Sequence, residues 1–339
     1  MVSLSLSNTP TSASNGVRPV NLKTDLAALA DLIEVAFADS MDSSGRAAVR
    51  EMRALSRFGT GLGMLAGMSD LVQGIGLGYV WIQDGQLVGN VSIYPANKHS
   101  GSGQAWIIAN VAVQPEYRGR GIARQLMHTS MEAIRSRRGA RGSPVAAILQ
   151  VEDNNVPARR LYDSLGFVTE GIWRMWRRSS SARIPLPLNN GQGYITKLRR
   201  GEWRSAYGLA QRVRPYGLGW QRPLHKGQFR RSIWNTLNDL INMRSVERLV
   251  IRSQDEQEIR AALWIERAVA ASSTQLMMMI DPDYQGLYDE ALINLATRRF
   301  SGHVPLTLEH PAEDAVASAL LERYNFHVQR TLVHMRWDG

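Results

Sequence analysis

Residues 113 to 126 read VQPEYRGRGIARQL, with Arg118, Gly119, Arg120 and Gly121 in succession. Apolar residues precede this stretch and a helical pattern follows it. A strand that turns through glycines into a helix exposes several backbone N–H groups at one point, and the helix dipole favours an anion there. Gly119 and Gly121 let the chain turn sharply and let a ligand approach the backbone. Arg118 and Arg120 place guanidinium groups at the rim, where arginine suits phosphate oxygens. Ile122 and the small Ala123 open the helix. The residues favour a phosphorylated ligand, although a tight turn with solvated arginines would read the same way. No lysine followed by Ser or Thr comes after the glycines, and GTGLGMLAG at 59 to 67 lacks lysine too, so an ATP-type phosphate loop is excluded. The glycines also lack the GxGxxG spacing of a dinucleotide site.

Several elements must hold this loop. DLAALADLIEVAF, 25 to 37, has helical spacing of its apolar residues. QDGQL, 83 to 87, is an Asp-Gly turn between two apolar runs and predicts a hairpin. WIIANVAV, 106 to 113, predicts a buried central strand, with Asn110 as its only strongly polar side chain. A helix is expected over 121 to 136 and a strand over 144 to 151. NVPARRLYDSLGF, 155 to 167, predicts a helix closed by Gly166, and the strand VTEGIWRMWRR follows. The order predicts a mixed α/β fold.

ARIPLPLNNGQG, 182 to 193, reads as a linker. Beyond it the expected elements are a helix over 202 to 213, a strand VERLVI and a helix over EQEIRAALWIERAVA. Then come a strand QLMMMI, a helix over 287 to 299, a strand VPLTLE, a helix over 312 to 324 and a last strand HVQRTLVHMRW. PEYRG at 115 recurs as PDYQG at 282, and NVPARRLYDSLGF recurs as DAVASALLERYNF at 314. Two matches in the same order and context point to an internal duplication; chance similarity of amphipathic helices is the competing account.

The pairing of Arg118-x-x-Gly121-x-Ala123 with Asn155-x-x-Ala158-x-x-Leu161-Tyr162-x-x-x-Gly166-Phe167 resembles the GCN5-related N-acetyltransferases (GNAT family) over roughly 17 to 180. The resemblance implies that residues 118 to 123 grip the pyrophosphate of acetyl-CoA. It implies a pair of parallel strands that splay apart, with the pantetheine arm against the backbone near Val111 and Val113 and with Asn155 and Ala158 beside it. It further implies direct attack of an amine on the thioester through a tetrahedral intermediate, with Tyr162 as general acid; a core aromatic under the sheet is the other reading of Tyr162. Asn110 stands on the strand where many members carry a glutamate. It can orient an amine but is no useful base at neutral pH. Glu34, Asp39 and Asp42 are the carboxylates that could serve from elsewhere, and Glu116 is expected to face solvent. The acceptor would be an amine-bearing small molecule or peptide.

The second copy has the turn without the grip. Arg118 is replaced by Gln285, Gly121 by Tyr288, Ala123 by Glu290, Asn155 by Asp314 and Tyr162 by Leu321. The expectation is therefore two domains, 17 to 181 and 194 to 339, the second degenerate. Residues 1 to 16 are expected to form a disordered tail.

Composition narrows the alternatives. The 339-residue chain has no cysteine, which removes disulfides and thiolate nucleophiles, and its seven histidines show no metal-site spacing. No long apolar run suggests a membrane span, and a cytoplasmic enzyme is the expectation. Net charge is +10, and 174 to 252 holds 17 basic and 3 acidic residues among aromatics. Such a stretch can be a solvated face over aromatic core residues, can attract coenzyme A or an acidic acceptor, or can bind nucleic acid. A non-catalytic acyl-CoA sensor or nucleic-acid-binding protein on the same fold is thus the alternative function.

Overall fold

The computed structural model describes residues 15–38, 41, 43–57, 77–96, 104–137, 145–188, 195–213, 229, 244–253, 255, 258–268, 273–300, 302 and 304–339. The chain divides into two compact units. One comprises Met1–Pro95, Gln104–Ala147 and Gly339; the other comprises Ala96–Gly103 and Ile148–Asp338.

In the first unit, β1 (Gly16–Pro19), β2 (Tyr79–Gln83), β3 (Gln86–Pro95) and β4 (Gln104–Val113) form an antiparallel meander in that order. The β2–β3 turn is Asp84–Gly85, both with positive φ (49° and 76°), as a two-residue hairpin requires. Helices α1 (Leu26–Ala36) and α2 (Ser43–Ser56) bury Leu26, Leu29, Leu32, Val49 and Met52 with Val80, Ile82, Leu87 and Ala112 of the sheet. Arg18 holds the start of α1 through a two-pronged bond to Asp25 at 2.6 and 2.8 Å. Helix α3 (Ile122–Ser136) packs at Gly89 of β3. A Cβ there would stand 3.0 Å from both Ile122 Cγ2 and Leu126 Cδ1. Gly89→Ala is therefore expected to cost about 1–3 kcal/mol in urea unfolding, because the first turn of α3 must move.

In the second unit, β5 (Val145–Glu152, from Ile148 onward), β6 (Val168–Arg178), β7 (Thr196–Lys197), β8 (Arg244–Arg252), β9 (Ile259–Ala268), β10 (Thr274–Ile280), β11 (Leu306–Pro311) and β12 (Phe326–Asp338) lie in the order β5-β12-β6-β11-β10-β9-β8-β7. Helices α4 (Val156–Ser164), α5 (Trp203–Val213), α6 (Asp289–Phe300) and α7 (Ala315–Arg323) complete it. The final strands of the two sequence copies are exchanged. β6, from the first copy, pairs with β11 of the second, and β12, from the second, lies between β5 and β6. Trp173 faces Leu332, its own counterpart at the repeat offset of 159. This exchange is why the compact units divide within β5 and not at the expected linker, 182 to 193: β6 and β12 tie sequence from both sides of that linker into one sheet.

β10 and β11 are parallel and pair only at Thr274–Leu276 with Leu306–Leu308. Beyond that register the strands part, which is the expected splay, seen in the second copy. The expectation of a helix over EQEIRAALWIERAVA is corrected. Its centre is β9, hydrogen-bonded to β8 and β10 on both sides with Ile259, Ala261, Ala262, Leu263, Trp264 and Ile265 all buried. Alanine, glutamate and arginine favour helix, but burial between two strands overrides that preference.

Candidate active site

The first unit carries the glycine turn. After β4 come a single 3-10 turn, Pro115–Tyr117, then Gly119 and Gly121 at φ 77° and 78°, then α3. That left-handed backbone is what demands glycine. A Cβ at either position would meet nothing within 4 Å, so the space over the turn is open. The first N–H groups of α3 point to this space without a side-chain cap from Gly121. The arginines do less at the rim than the sequence suggests. Arg118 Nε donates to the Val113 carbonyl at 3.1 Å and Arg120 Nη2 to the Glu116 carbonyl at 3.0 Å, with Arg120 also over the Tyr117 ring. They brace the turn that presents the N–H groups.

Asn110 lies in a bulge of β4, where the register slips between Asn90 and Ser92, and has φ 53°. Its carbonyl accepts from Asn90 Nδ2 at 2.9 Å, and its own Nδ2 donates to Ser92 Oγ (3.3 Å) and Tyr94 Oη (3.4 Å). Desolvation raises the Tyr94 pKa, so its phenol is neutral. This set of neutral groups fixes Asn110 and pins the bulge. Sequence reasoning missed Asn90, Ser92 and Tyr94. Their signal was the polar residue at every second position of VGNVSIY, which puts all three on one face of a strand.

The second unit holds the other motif. Asn155 Oδ1 caps α4 by accepting from the Ala158 N–H at 3.2 Å, with Pro157 in the first turn. Tyr162 is 6% exposed. Its ring packs on Phe167, which stacks on Trp337 of β12. Burial pushes the phenol up to about 12. Tyr162 is therefore a packed aromatic whose phenol stays neutral at neutral pH.

The carboxylates considered for a base fare differently. Glu34 is exposed and bound to Arg53 at 2.5 Å, which holds its pKa down. Asp39 and Asp42 lie outside the described residues. Glu116 is exposed in the turn.

In the second copy the turn Pro282–Tyr284, Gln285, Gly286 has the same shape, with Gly286 at φ 82°. Here the anion is built in. The Asp289 carboxylate, 1% exposed, accepts from the Gly286 N–H at 2.7 Å. Tyr284 stacks on Tyr288, and Gln285 Nε2 reaches Asp314, which caps α7 and bonds His310. Desolvation raises the Asp289 pKa, so the buried charge opposes folding at neutral pH and acidification through that pKa relieves it. Asp289→Asn is expected to keep the acceptor and hold or raise the melting temperature. Asp289→Ala strands the Gly286 N–H and is expected to cost about 1–3 kcal/mol in urea unfolding.

Much of the basic stretch that the structure describes is turned inward or paired. The Arg178 guanidinium, fully buried, donates to the carbonyls of Tyr324 and Arg183; Arg252 grips Glu202, Arg212 meets Asp281, and Trp176 is core. Among the described residues no group of His, Asp or Glu is arranged to hold a metal, and no helix is long and apolar enough to cross a membrane.

The bulged β4 that runs through an open glycine turn into α3, with a second glycine turn of the same shape after β10, belongs to a fold like that of the GCN5-related N-acetyltransferases. The chain is similar in fold to a GCN5-related N-acetyltransferase from Sphaerobacter thermophilus, at 16% identity and TM-score 0.62 over 95% of each chain. It is also similar to a tandem GNAT protein from the clavulanic acid biosynthesis pathway, at 11% identity and TM-score 0.59 over 96% of this chain and 98% of that one. Saccharomyces cerevisiae N-myristoyltransferase with bound myristoyl-CoA aligns at 11% identity and TM-score 0.50, over 97% and 80%. No curated protein matches the chain in sequence. Residues 67–167 match the acetyltransferase (GNAT) family.

Proposed function

We propose that this protein is an N-acetyltransferase that uses acetyl-CoA to acetylate an amine of a small molecule or peptide in the cytoplasm. The observation that carries this reading is the contrast between the two turns. The one at 118 to 123 is open above its N–H groups, whereas its counterpart is closed by Asp289. The open turn suits a pyrophosphate: glycines at positive φ, a helix N-terminus without a side-chain cap from its first residue and, among the described residues, no carboxylate bonded to the N–H groups. Residues 118 to 123 would hold the pyrophosphate, the backbone at Val111 and Val113 the pantetheine arm, and Asn155 and Ala158 the neighbouring edge.

When bound, acetyl-CoA supplies an activated acetyl thioester. The chain supplies position and protons. A backbone N–H of β4 near Val113 would be the donor for a developing oxyanion. Tyr162, neutral at pH 7, can give its proton to the departing sulfur and regain one from the amide nitrogen being formed. Release of free thiol from acetyl-CoA across a panel of small amines and peptide N-termini tests the proposal. Absence of amine-stimulated release throughout the panel overturns it.

A further inference from the structure

Asn90, Ser92 and Tyr94 of β3 and Asn110 in the β4 bulge form one hydrogen-bonded set, all within the first unit. Asn90 and Ser92 are fully buried, and Tyr94 and Asn110 are half-buried. The carboxamide nitrogens are fully used. Asn90 Nδ2 donates to the Asn110 carbonyl at 2.9 Å and to Ser92 Oγ at 3.4 Å. Asn110 Nδ2 donates to Ser92 Oγ and Tyr94 Oη at 3.3 and 3.4 Å. The carboxamide oxygens are the reverse. Asn90 Oδ1 is buried without a donor, and among the described residues Asn110 Oδ1 has none either. An acceptor kept from water without its bond is costly. The set therefore lacks N–H donors, and Asn110 is a partly open position at which one can enter.

The set is also uncharged. Desolvation raises the Tyr94 phenol, so it stays protonated at neutral pH. Among the described residues no charged side chain bonds any of the four. Ala112, opposite Asn90 in the register, joins the apolar cluster under α1 and α2. The carboxylates there are occupied or turned out: Asp25 is held by Arg18, Asp31 and Glu34 are held by Arg53, and Arg46, Arg50 and Glu51 of α2 are exposed. Gly89 turns to α3, so Asn90 faces away from that helix, whose Arg124, His128, Glu132 and Arg135 are exposed.

We infer that the Asn90–Asn110 set is a binding site for an uncharged amino group, and that the acceptor is a weakly basic amine, such as an arylamine, that carries no proton at neutral pH. The inference takes from the acetyltransferase reading the role of this amine as acceptor. An alkylammonium would bring a charge that no partner in the set offsets, and carboxamides and hydroxyls cannot take its extra proton. An amine that is already neutral needs neither a counter-charge nor a base. It brings the N–H donors that the carboxamide oxygens lack.

The test compares two isomers on the full chain: 4-methylaniline, neutral at pH 7, and benzylamine, protonated there. NMR follows the Asn110 side-chain NH2 signals, assigned by their loss in Asn110→Asp. At pH 7, 4-methylaniline is expected to shift them and to bind about tenfold or more tightly than benzylamine. From pH 6 to pH 8 its affinity should stay level, while that of benzylamine should rise about tenfold per pH unit with its neutral fraction. Asn110→Asp suits the left-handed backbone and supplies a charge, so calorimetry should find the preference reversed toward benzylamine. Unmoved Asn110 signals, equal binding of the isomers at pH 7, or a preference that Asn110→Asp leaves intact overturns the site. Shifts with 4-methylaniline but no thiol release from acetyl-CoA with any amine keep the site and overturn the acetyltransferase reading instead.

Discussion

Replacing Tyr162 with Phe is expected to slow amine-dependent thiol release about a hundredfold or more, the usual contribution of a positioned general acid. Binding of acetyl-CoA should survive, because the ring that packs on Phe167 is retained. The pH dependence separates this from a packing defect. The buried phenol titrates at about 12 where an ordinary tyrosine titrates near 10. It therefore stays protonated through the neutral and mildly alkaline range, and the wild-type rate should show no alkaline loss from this group below about pH 10. The same shift has a stability cost in strong base. Tyr162 would ionise near 10 in the unfolded chain and near 12 in the folded one, so its contribution is intact below pH 10 and is lost as pH rises toward 12. Tyr162→Phe should flatten that part of the stability–pH curve. A kcat within a few fold of wild type would remove Tyr162 from the chemistry and leave it as core.

The second large effect concerns stoichiometry. Calorimetry on the full chain is expected to count one acetyl-CoA, and Gly121→Val is expected to weaken it about ten- to a hundredfold. Gly121 sits at φ 78°. A β-branched residue resists that backbone by about 1–3 kcal/mol, and relaxing the strain swings the first N–H groups of α3 away from the ligand. Nothing within 4 Å would collide with the new Cβ, so backbone strain and obstruction of the ligand's own space are what the variant measures. Two bound equivalents in the wild type, or one that survives Gly121→Val undiminished, would show that the second copy binds ligand as well and that Asp289 does not close its turn.

The sequence made local elements legible where one signal dominated. The Asp84–Gly85 turn, β4 with its glycine exit, α3, β6 and the helix capped by Asn155 all follow from residue types with few alternatives. Strand β9 was not legible in that way: its alanines and charges describe a helix surface, and only the flanking strands β8 and β10 make it a strand. The short β1, of which only Gly16 falls in the expected tail, carries no strand signal of its own, and α2 has no clear boundary in the sequence. At the site, the sequence marked Asn110 and Tyr162 but not what holds them. Asn90, Ser92 and Tyr94 act through distances across two strands, and Trp337 comes from the far end of the chain. Pairings over such separations leave no local pattern. The arginines misled in a simpler way: a side chain next to a turn can bond the turn itself, as Arg118 and Arg120 do.

The order β5-β12-β6-β11 has a consequence for the protein's ancestry. Two copies of one chain that traded their last strands would show this arrangement about a two-fold axis, with each Trp173-like position opposite its twin. Joining the two by a connection such as 182 to 193 turns a symmetric homodimer into a single polypeptide. Once fused, each half is released from having to be identical, and one can lose its ligand while remaining indispensable as the lender of a strand.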